Sequence, residues 1–323
     1  MNQSTRISIV IPTYNRREVV TTVLRGLCDQ EDAGLEQGSP VFEVVIVDDG
    51  STDGTPEALS ALSASLPFPL RLITGSHSGP GVARNIGVEV ANAPLILFID
   101  SDLIPSRRLV AGHLKSQACG DNLIVHGPVI QVETLDIAAA RQQRARLSDM
   151  SRGFFATTNA SIAKEHLLAA GLFDAELSSY AWWEDLELGE RLRALPEKLR
   201  AIWVPEAAGF HYKPPLRAAD VERVCRREVQ RAQSALVFYR KHPTVAVRRK
   251  IPLSRLIFAI ERMIALGNWP ETAWANRLLA RAEAAGHRRL FETVAWVKIQ
   301  HAYYAALRRE LRLQAPAERH GSR

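Results

Sequence analysis

Leu95-Ile96-Leu97-Phe98-Ile99-Asp100-Ser101-Asp102 is the stretch on which the reading of this chain turns. Five apolar residues after Pro94 predict a strand buried on both faces, the kind that sits centrally in a parallel sheet. The run stops abruptly in two carboxylates separated by one small residue. Just past a strand end the chain turns, and both carboxylates can face one crevice. Paired carboxylates repel, so they are stable together only with a cation or an arginine between them. The competing reading is a helix N-cap, with Asp102 leading into Arg107-Arg108-Leu109. The octapeptide alone does not separate the two.

Working outward, Ile7 to Ile11 predicts a first buried strand, followed by the turn Pro12-Thr13-Tyr14-Asn15-Arg16 and a helix over 17–28. Val44 to Val47 predicts a second strand, ending in Asp48-Asp49-Gly50-Ser51-Thr52-Asp53, with a helix starting at Pro56. A strand at 70–73 and a helix over 82–90 follow. Strand, polar turn and helix in repetition give an α/β domain with a mainly parallel sheet. Such sheets bind ligands outside the carboxyl ends of their strands, where Tyr14, Asp49, Asp100 and Asp102 all fall. Gly79-Pro80-Gly81 is not a dinucleotide fingerprint, because Arg84 stands where the third glycine belongs, and no phosphate-loop Gly-Lys-Ser/Thr occurs. Arg84 is expected to pair with Asp49 or to reach a phosphate.

Downstream the pattern predicts a helix near 106–116, a strand at 123–125 and a mobile Arg/Gln-rich connection over 136–152. Thr157 to Ile162 reads as an edge segment whose polar side chains, Asn159 among them, point to one site. A helix follows over 164–170. Trp182-Trp183-Glu184-Asp185 then opens another, carrying Leu188, Leu192 and Leu195, and Ile202 to Val204 and Gly209 to Tyr212 are short extended pieces.

The 323 residues suit one large domain plus an appendage, and 46% hydrophobic with 24% charged residues is ordinary for a globular protein. No apolar run has membrane-spanning length, and the N-terminus lacks a signal peptide's apolar core. Three scattered cysteines (Cys28, Cys119, Cys225) make neither a disulfide framework nor a zinc site, so a cytoplasmic location is expected. The net charge of +6 is split unevenly: −7 over residues 1–213 and +13 over residues 214–323. The expected organisation is therefore a domain at 1–213 and a basic helical region at 214–323. Helices are predicted over 218–241, 272–285 and 288–313, around a segment carrying Leu253, Leu256, Ile257, Ile260, Met263 and Ile264 that Gly267 ends. That region reads either as a small bundle with solvated charges or as a module docking on a membrane surface or an anionic acceptor. Nucleic-acid binding is not expected, since no recognition motif is present.

Ser8-Ile9-Val10-Ile11-Pro12-Thr13-Tyr14-Asn15-Arg16, Val47-Asp48-Asp49-Gly50-Ser51-Thr52-Asp53, Ala83-Arg84-Asn85-Ile86-Gly87, Asp100-Ser101-Asp102 and Glu184-Asp185 occur in one order. In that order they resemble the family 2 glycosyltransferases over roughly residues 6–213. The resemblance implies a GT-A fold, a nucleotide-sugar donor (a UDP-sugar favoured) and an inverting transfer to a hydroxyl of a glycan, lipid-linked or protein acceptor. It implies that Pro12, Thr13, Tyr14 and Arg16 line the nucleotide with Arg84 and Ser101, that Asp49 binds the base edge, and that Asp100 contacts ribose or metal. Asp102 would coordinate a divalent ion, and His211 stands where some related families place a further ligand. Two carboxylates and an imidazole suit Mn²⁺ or Mg²⁺. Asp185 is the candidate general base, deprotonating the acceptor opposite the leaving group, with Glu184 in support. Related sequences often have glycines where this chain has Trp182-Trp183, whose indoles either stack on an acceptor sugar or belong to the core. Asn159 is expected to line the acceptor side. Two other functions compete: a sugar-phosphate nucleotidyltransferase, whose Gly-rich loop after the first strand is missing here, and a non-catalytic nucleotide-sugar binding protein.

Overall fold

The computed structural model describes residues 5–36, 38–150, 153–178, 182–251 and 253–314. The chain divides into two compact units, Met1–Pro214 and Pro215–Arg323.

In the first unit, β1 (Ile7–Thr13), α1 (Arg17–Leu27), β2 (Phe42–Asp48), α2 (Thr55–Ser63), β3 (Leu70–Thr74), α3 (Pro80–Val90) and β4 (Leu95–Ile99) alternate as the apolar runs predict. Then come β5 (Leu103–Pro105), α4 (Leu109–Gln117), β6 (Leu123–His126), β7 (Val129–Val132), α5 (Ile137–Arg141), β8 (Asn159–Ala163), α6 (Lys164–Ala169), α7 (Ala175–Ser178), α8 (Glu184–Arg193), β9 (Arg200–Trp203) and β10 (Gly209–Tyr212). Seven strands form one sheet in the order β3-β2-β1-β4-β8-β6-β9, and three form a second, β5-β10-β7. β3, β2, β1 and β4 run parallel, whereas β8 is antiparallel to both its neighbours.

The large sheet is covered on both sides, which is why its strands read as unbroken apolar runs. Ile7, Ile9 and Ile11 meet Val20, Val23, Leu24 and Leu27 of α1 in one core cluster. Val10, Ile96 and Phe98 belong to a second, with Ala83, Val88, Leu167, Leu188 and Leu192. Strand order reverses between β1 and β4, so a crevice opens past their carboxyl ends.

Two expectations are corrected here. The segment from Thr157 to Ile162 is no edge: β8 lies between β4 and β6 with Leu97 opposite Ser161. The 136–152 connection is held in place over its described residues. Asp136 caps α5 through the amides of Ala138 and Ala139, and Arg141 grips Asp29 with two bonds of 2.6 and 2.8 Å. Residues 151–152 lie outside the described residues.

The second unit is helical: α9 (Ala218–Lys241), α10 (Val245–Lys250), α11 (Arg255–Ile264), α12 (Ala273–Ala284) and α13 (Arg288–Gln314). Val221, Cys225, Leu279, Phe291 and Val294 form one core cluster, and Ala232, Leu236, Tyr303 and Leu307 another. The apolar stripe of α11 does not enter this core as a bundle would require. Phe258 packs inward, but Leu256, Ile260, Met263 and Ile264 are exposed.

Candidate active site

The strand-end carboxylates sit where the two sheets of the first unit meet. β4 stops at Ile99, Asp100-Ser101-Asp102 makes the turn, and Leu103 enters β5, where it pairs with His211 of β10. The Tyr212 amide donates to the Asp102 carbonyl at 2.8 Å, pinning β10 to this turn. One ligand atom each from Asp100, Asp102 and His211 falls within 4.8 Å of the others. His211 Nε2 lies 3.1 Å from Asp102 Oδ1, and Arg16 pairs with the other oxygen of Asp102. Burial alone would push the Asp102 carboxyl up, but the hydrogen bond with His211 and the charge of Arg16 outweigh it and hold it below the usual range. Burial likewise opposes the His211 imidazolium, yet the hydrogen bond and charge of Asp102, with Asp100 behind, raise its pKa. Two hard carboxylates and one imidazole converging on one point form a donor set that fits a divalent cation of the Mn²⁺ or Mg²⁺ kind. The turn is a trap for positive charge.

Arg84 links this turn to the candidate base. Its residue is 5% exposed, with Nη2 3.0 Å from Asp100 Oδ1 and Nη1 3.1 Å from Glu184 Oε1. Both arms are thus committed, and the expected pairing with Asp49 or a phosphate gives way to a buried brace between β4 and α8. Burial works against the guanidinium charge, but the two carboxylates outweigh it. The neighbouring residues explain the rest of the Ala83–Gly87 motif. Asn85 holds the Phe173 backbone with two 2.8 Å bonds, and a Cβ on Gly87 would meet Val10 Cγ1 at 2.4 Å, so only glycine lets α3 lie this close to β1.

Asp185 follows Glu184 in the first turn of α8, which also carries Glu187. The Asp185 residue is half-buried, and its Oδ1 accepts from the Leu186 amide at 2.7 Å. Burial, and then the charge of Glu184, push its carboxyl up to about 7, while Arg84 and the Leu186 amide pull the other way. A carboxyl poised near neutrality is what a general base requires. Trp183, just before, has φ 71° and is 8% exposed. It occupies a left-handed backbone position that favours glycine. Its burial corrects the expected sugar stacking for Trp183, which belongs to the core, whereas Trp182 is half-buried.

On the other side of the crevice, Tyr14 is 41% exposed and its ring lies 4.2 Å from that of His77. Asp49 accepts from the amides of Ser78 at 2.7 Å and Gly79 at 2.9 Å, so it shapes the loop that presents His77. His77 Nδ1 also lies 3.5 Å from Asp49 Oδ2, so the carboxylate holds the loop by its backbone and stands beside its imidazole. Asn15 ties the two loops together, its amide donating to Ser51 Oγ at 2.7 Å and its Oδ1 accepting from the Thr52 amide at 2.8 Å. Pro12 pairs with Val47 next to the end of β1, Thr13 is buried, and Ser101 is buried within the carboxylate turn. His77, which the structure places against Tyr14 and Asp49, is not singled out by the sequence reading. Its only signal was its position before Ser78-Gly79, past the end of β3.

Asn159 is withdrawn from the acceptor side. It is 2% exposed, donates to the Pro128 and Ala207 carbonyls, and meets His113 Nε2 at 2.9 Å. Ser161 and Gln117 complete this interior network, in which burial pushes His113 down to about 4 and keeps it neutral. The polar side chains of β8 satisfy one another rather than a ligand.

A mainly parallel sheet with this carboxylate turn past its central strand defines the GT-A class of nucleotide-sugar folds. A mannosyltransferase of Pyrobaculum calidifontis, solved in complex with GDP-Man and Mn²⁺, aligns with TM-score 0.57 at 20% identity over 97% of this chain and 88% of its own. Staphylococcus aureus TarS aligns with TM-score 0.54 at 19% identity, over 94% of this chain and 55% of that one. The family model described as Glycosyl transferase family 2 matches residues 8–171, and the chain belongs to that family. Among curated relatives, chondroitin synthase of Escherichia coli is 25% identical over 293 residues, covering 76% of this chain and 41% of its own length. The chain spans less than two thirds of such relatives, the Bacillus subtilis glycosyltransferase YfnE (26% identical, 60% of its length) included.

Proposed function

We propose that this chain is an inverting glycosyltransferase that moves a sugar from a nucleotide-diphosphate donor to a hydroxyl of a glycan, lipid-linked or protein acceptor. The observation that carries the reading is the Asp100–Arg84–Glu184 brace, which holds a cation-binding carboxylate turn and a near-neutral carboxyl, Asp185, on one rigid frame. A UDP-sugar is the favoured donor: solved forms of S. aureus TarS hold UDP and UDP-GlcNAc, although the P. calidifontis neighbour holds GDP-Man.

Tyr14 offers an exposed ring face to the base, Asp49 an acceptor to its edge, and Arg16 a charge near the diphosphate. Asp100, Asp102 and His211 would hold Mn²⁺ or Mg²⁺, which when bound supplies a Lewis acid for the charge that grows on the leaving diphosphate. Asp185 takes the proton of the acceptor hydroxyl as that oxygen attacks the anomeric carbon from the side opposite the nucleotide. Glu184, held by Arg84, raises the proton affinity of Asp185 through its charge. We propose a location in the reducing cytoplasm, peripheral at the inner face of the membrane, supported by the three free cysteines and the +13 charge of residues 214–323. Among the described residues no helix is long and apolar enough to cross a membrane.

Calorimetry with UDP, GDP and dTDP, with and without Mn²⁺, tests this. We expect metal-dependent binding of one nucleotide that Asp102→Ala abolishes. If no nucleotide binds under either condition, the transferase reading fails.

A further inference from the structure

α11 is built inside out. Glu261 faces the interior, 7% exposed, 2.5 Å from His301 Nδ1 and paired with Arg308. On the outside, Leu256 and Met263 are each 68% exposed and Leu266, just beyond the helix, 79%. Ile260 and Ile264 continue the same stripe. A helix meant to face water turns its apolar residues inward and its charges out. A contiguous apolar patch left outside marks an interaction surface.

Asn268 and Glu271 then join α13 in lining an open cleft of about 370 Å³. Asn268, Arg308, Arg309 and Arg312 line it, and His301, only 4% exposed, faces into it. The His301 Nε2 atom makes no hydrogen bond; Glu271 Oε1 lies 3.3 Å away, outside hydrogen-bond geometry. Positions 301, 305, 308, 309 and 312 fall on one face of a helix, so the cationic lining is a property of α13 itself. Arg308 is partly spent on Glu261, and Glu271 offsets one charge, leaving Arg309 and Arg312 as the exposed cations at this rim.

We propose that this face of the C-terminal region docks on an anionic lipid bilayer, the arginine-lined cavity taking a headgroup phosphate while Leu256, Ile260, Met263 and Leu266 enter the acyl boundary. The inference rests on the peripheral location proposed above. Charge selects the occupant. Residues 214–323 carry +13, so a second copy would set like charge against like, whereas an anionic surface attracts it. The apolar stripe selects a lipid over a free phosphate, which has no use for it.

The test is co-sedimentation of the full chain with phosphatidylcholine vesicles, with and without phosphatidylglycerol, at low salt. The expected result is sedimentation with the anionic vesicles alone. Arg309→Glu with Arg312→Glu should weaken it by about 30-fold or more, at about fivefold for each cationic group lost. Leu256→Asp with Met263→Asp should weaken it comparably, with helicity by circular dichroism and nucleotide binding unchanged in both variants. Failure to sediment overturns the proposal, as does equal binding to neutral vesicles. Indifference to Met263→Asp together with full competition by inorganic phosphate would make the cavity a free-phosphate site. A dimer in sedimentation equilibrium that Met263→Asp splits would assign the stripe to a second copy. None of these readouts involves sugar transfer, so failure here leaves the transferase reading standing.

Discussion

Replacing Arg84 by methionine keeps most of the side chain's volume and removes the one cation between Asp100 and Glu184. Those carboxylates lie 3.0 and 3.1 Å from its nitrogens, with side chains 27% and 8% exposed. Water can take up much of the burden at Asp100. It cannot at Glu184, which would remain a buried charge without a partner. Breaking a buried pair in this way costs about 3–5 kcal/mol, and the partial exposure of Asp100 places the expected loss near the lower end, about 3 kcal/mol. Native-state hydrogen exchange on the amides of β1 and β4 reads the stability of the first unit separately from the helical region. The most protected of these amides should lose about that amount. The double variant Arg84→Met/Glu184→Gln removes the stranded charge along with its cation, so it should recover at least half of the loss, a coupling of about 1.5 kcal/mol or more. A single-variant loss under about 1 kcal/mol, or strictly additive effects, would refute the claim that α8 is braced electrostatically to the carboxylate turn.

Three further outcomes follow from the same crevice. Asp185→Asn should leave nucleotide binding intact and cut turnover by about 10²–10⁴. Because Asp185 is active only when ionised and its pKa is raised to about 7, the wild-type rate should climb through that pH, and Glu184→Gln, which removes a raising charge, should move the acid limb to lower pH. An unmoved limb would mean that another group titrates. Tyr14→Ala removes the exposed ring that stands against His77 and should weaken nucleotide binding by about 1–3 kcal/mol in calorimetry, with no change in metal affinity.

The sequence discloses most readily what local pattern dictates. β1, β2 and β4 are apolar runs with few alternatives, and the strand-end positions of Tyr14, Asp49, Asp100 and Asp102 follow from them. β5 and β7 are three and four residues long and are defined only by pairing with β10, so no local period announces them. Asn159 looked like a ligand contact because a polar strand residue is unusual, but its partner His113 lies 46 residues away and invisible in a linear reading. Arg84 misled for the same reason, with one of its two anchors 100 residues downstream. In α11 the period is legible but the direction it faces stays open between core and outer surface, since a helical repeat does not say which side meets the core.

The junction strand β10 also has a consequence in time. Asp100 and Asp102 leave the ribosome about 110 residues before His211, an interval of about 5–20 s at ordinary synthesis rates. β10 is the middle strand of its sheet and pairs on both sides, so the sheet has no centre until the chain has passed Tyr212. The carboxylate turn is therefore made early, and His211, the third member of the candidate cation site, arrives late. A nascent or truncated chain ending before Gly209 carries β1 to β4 and both carboxylates without His211, so under the reading proposed above its cation site is incomplete.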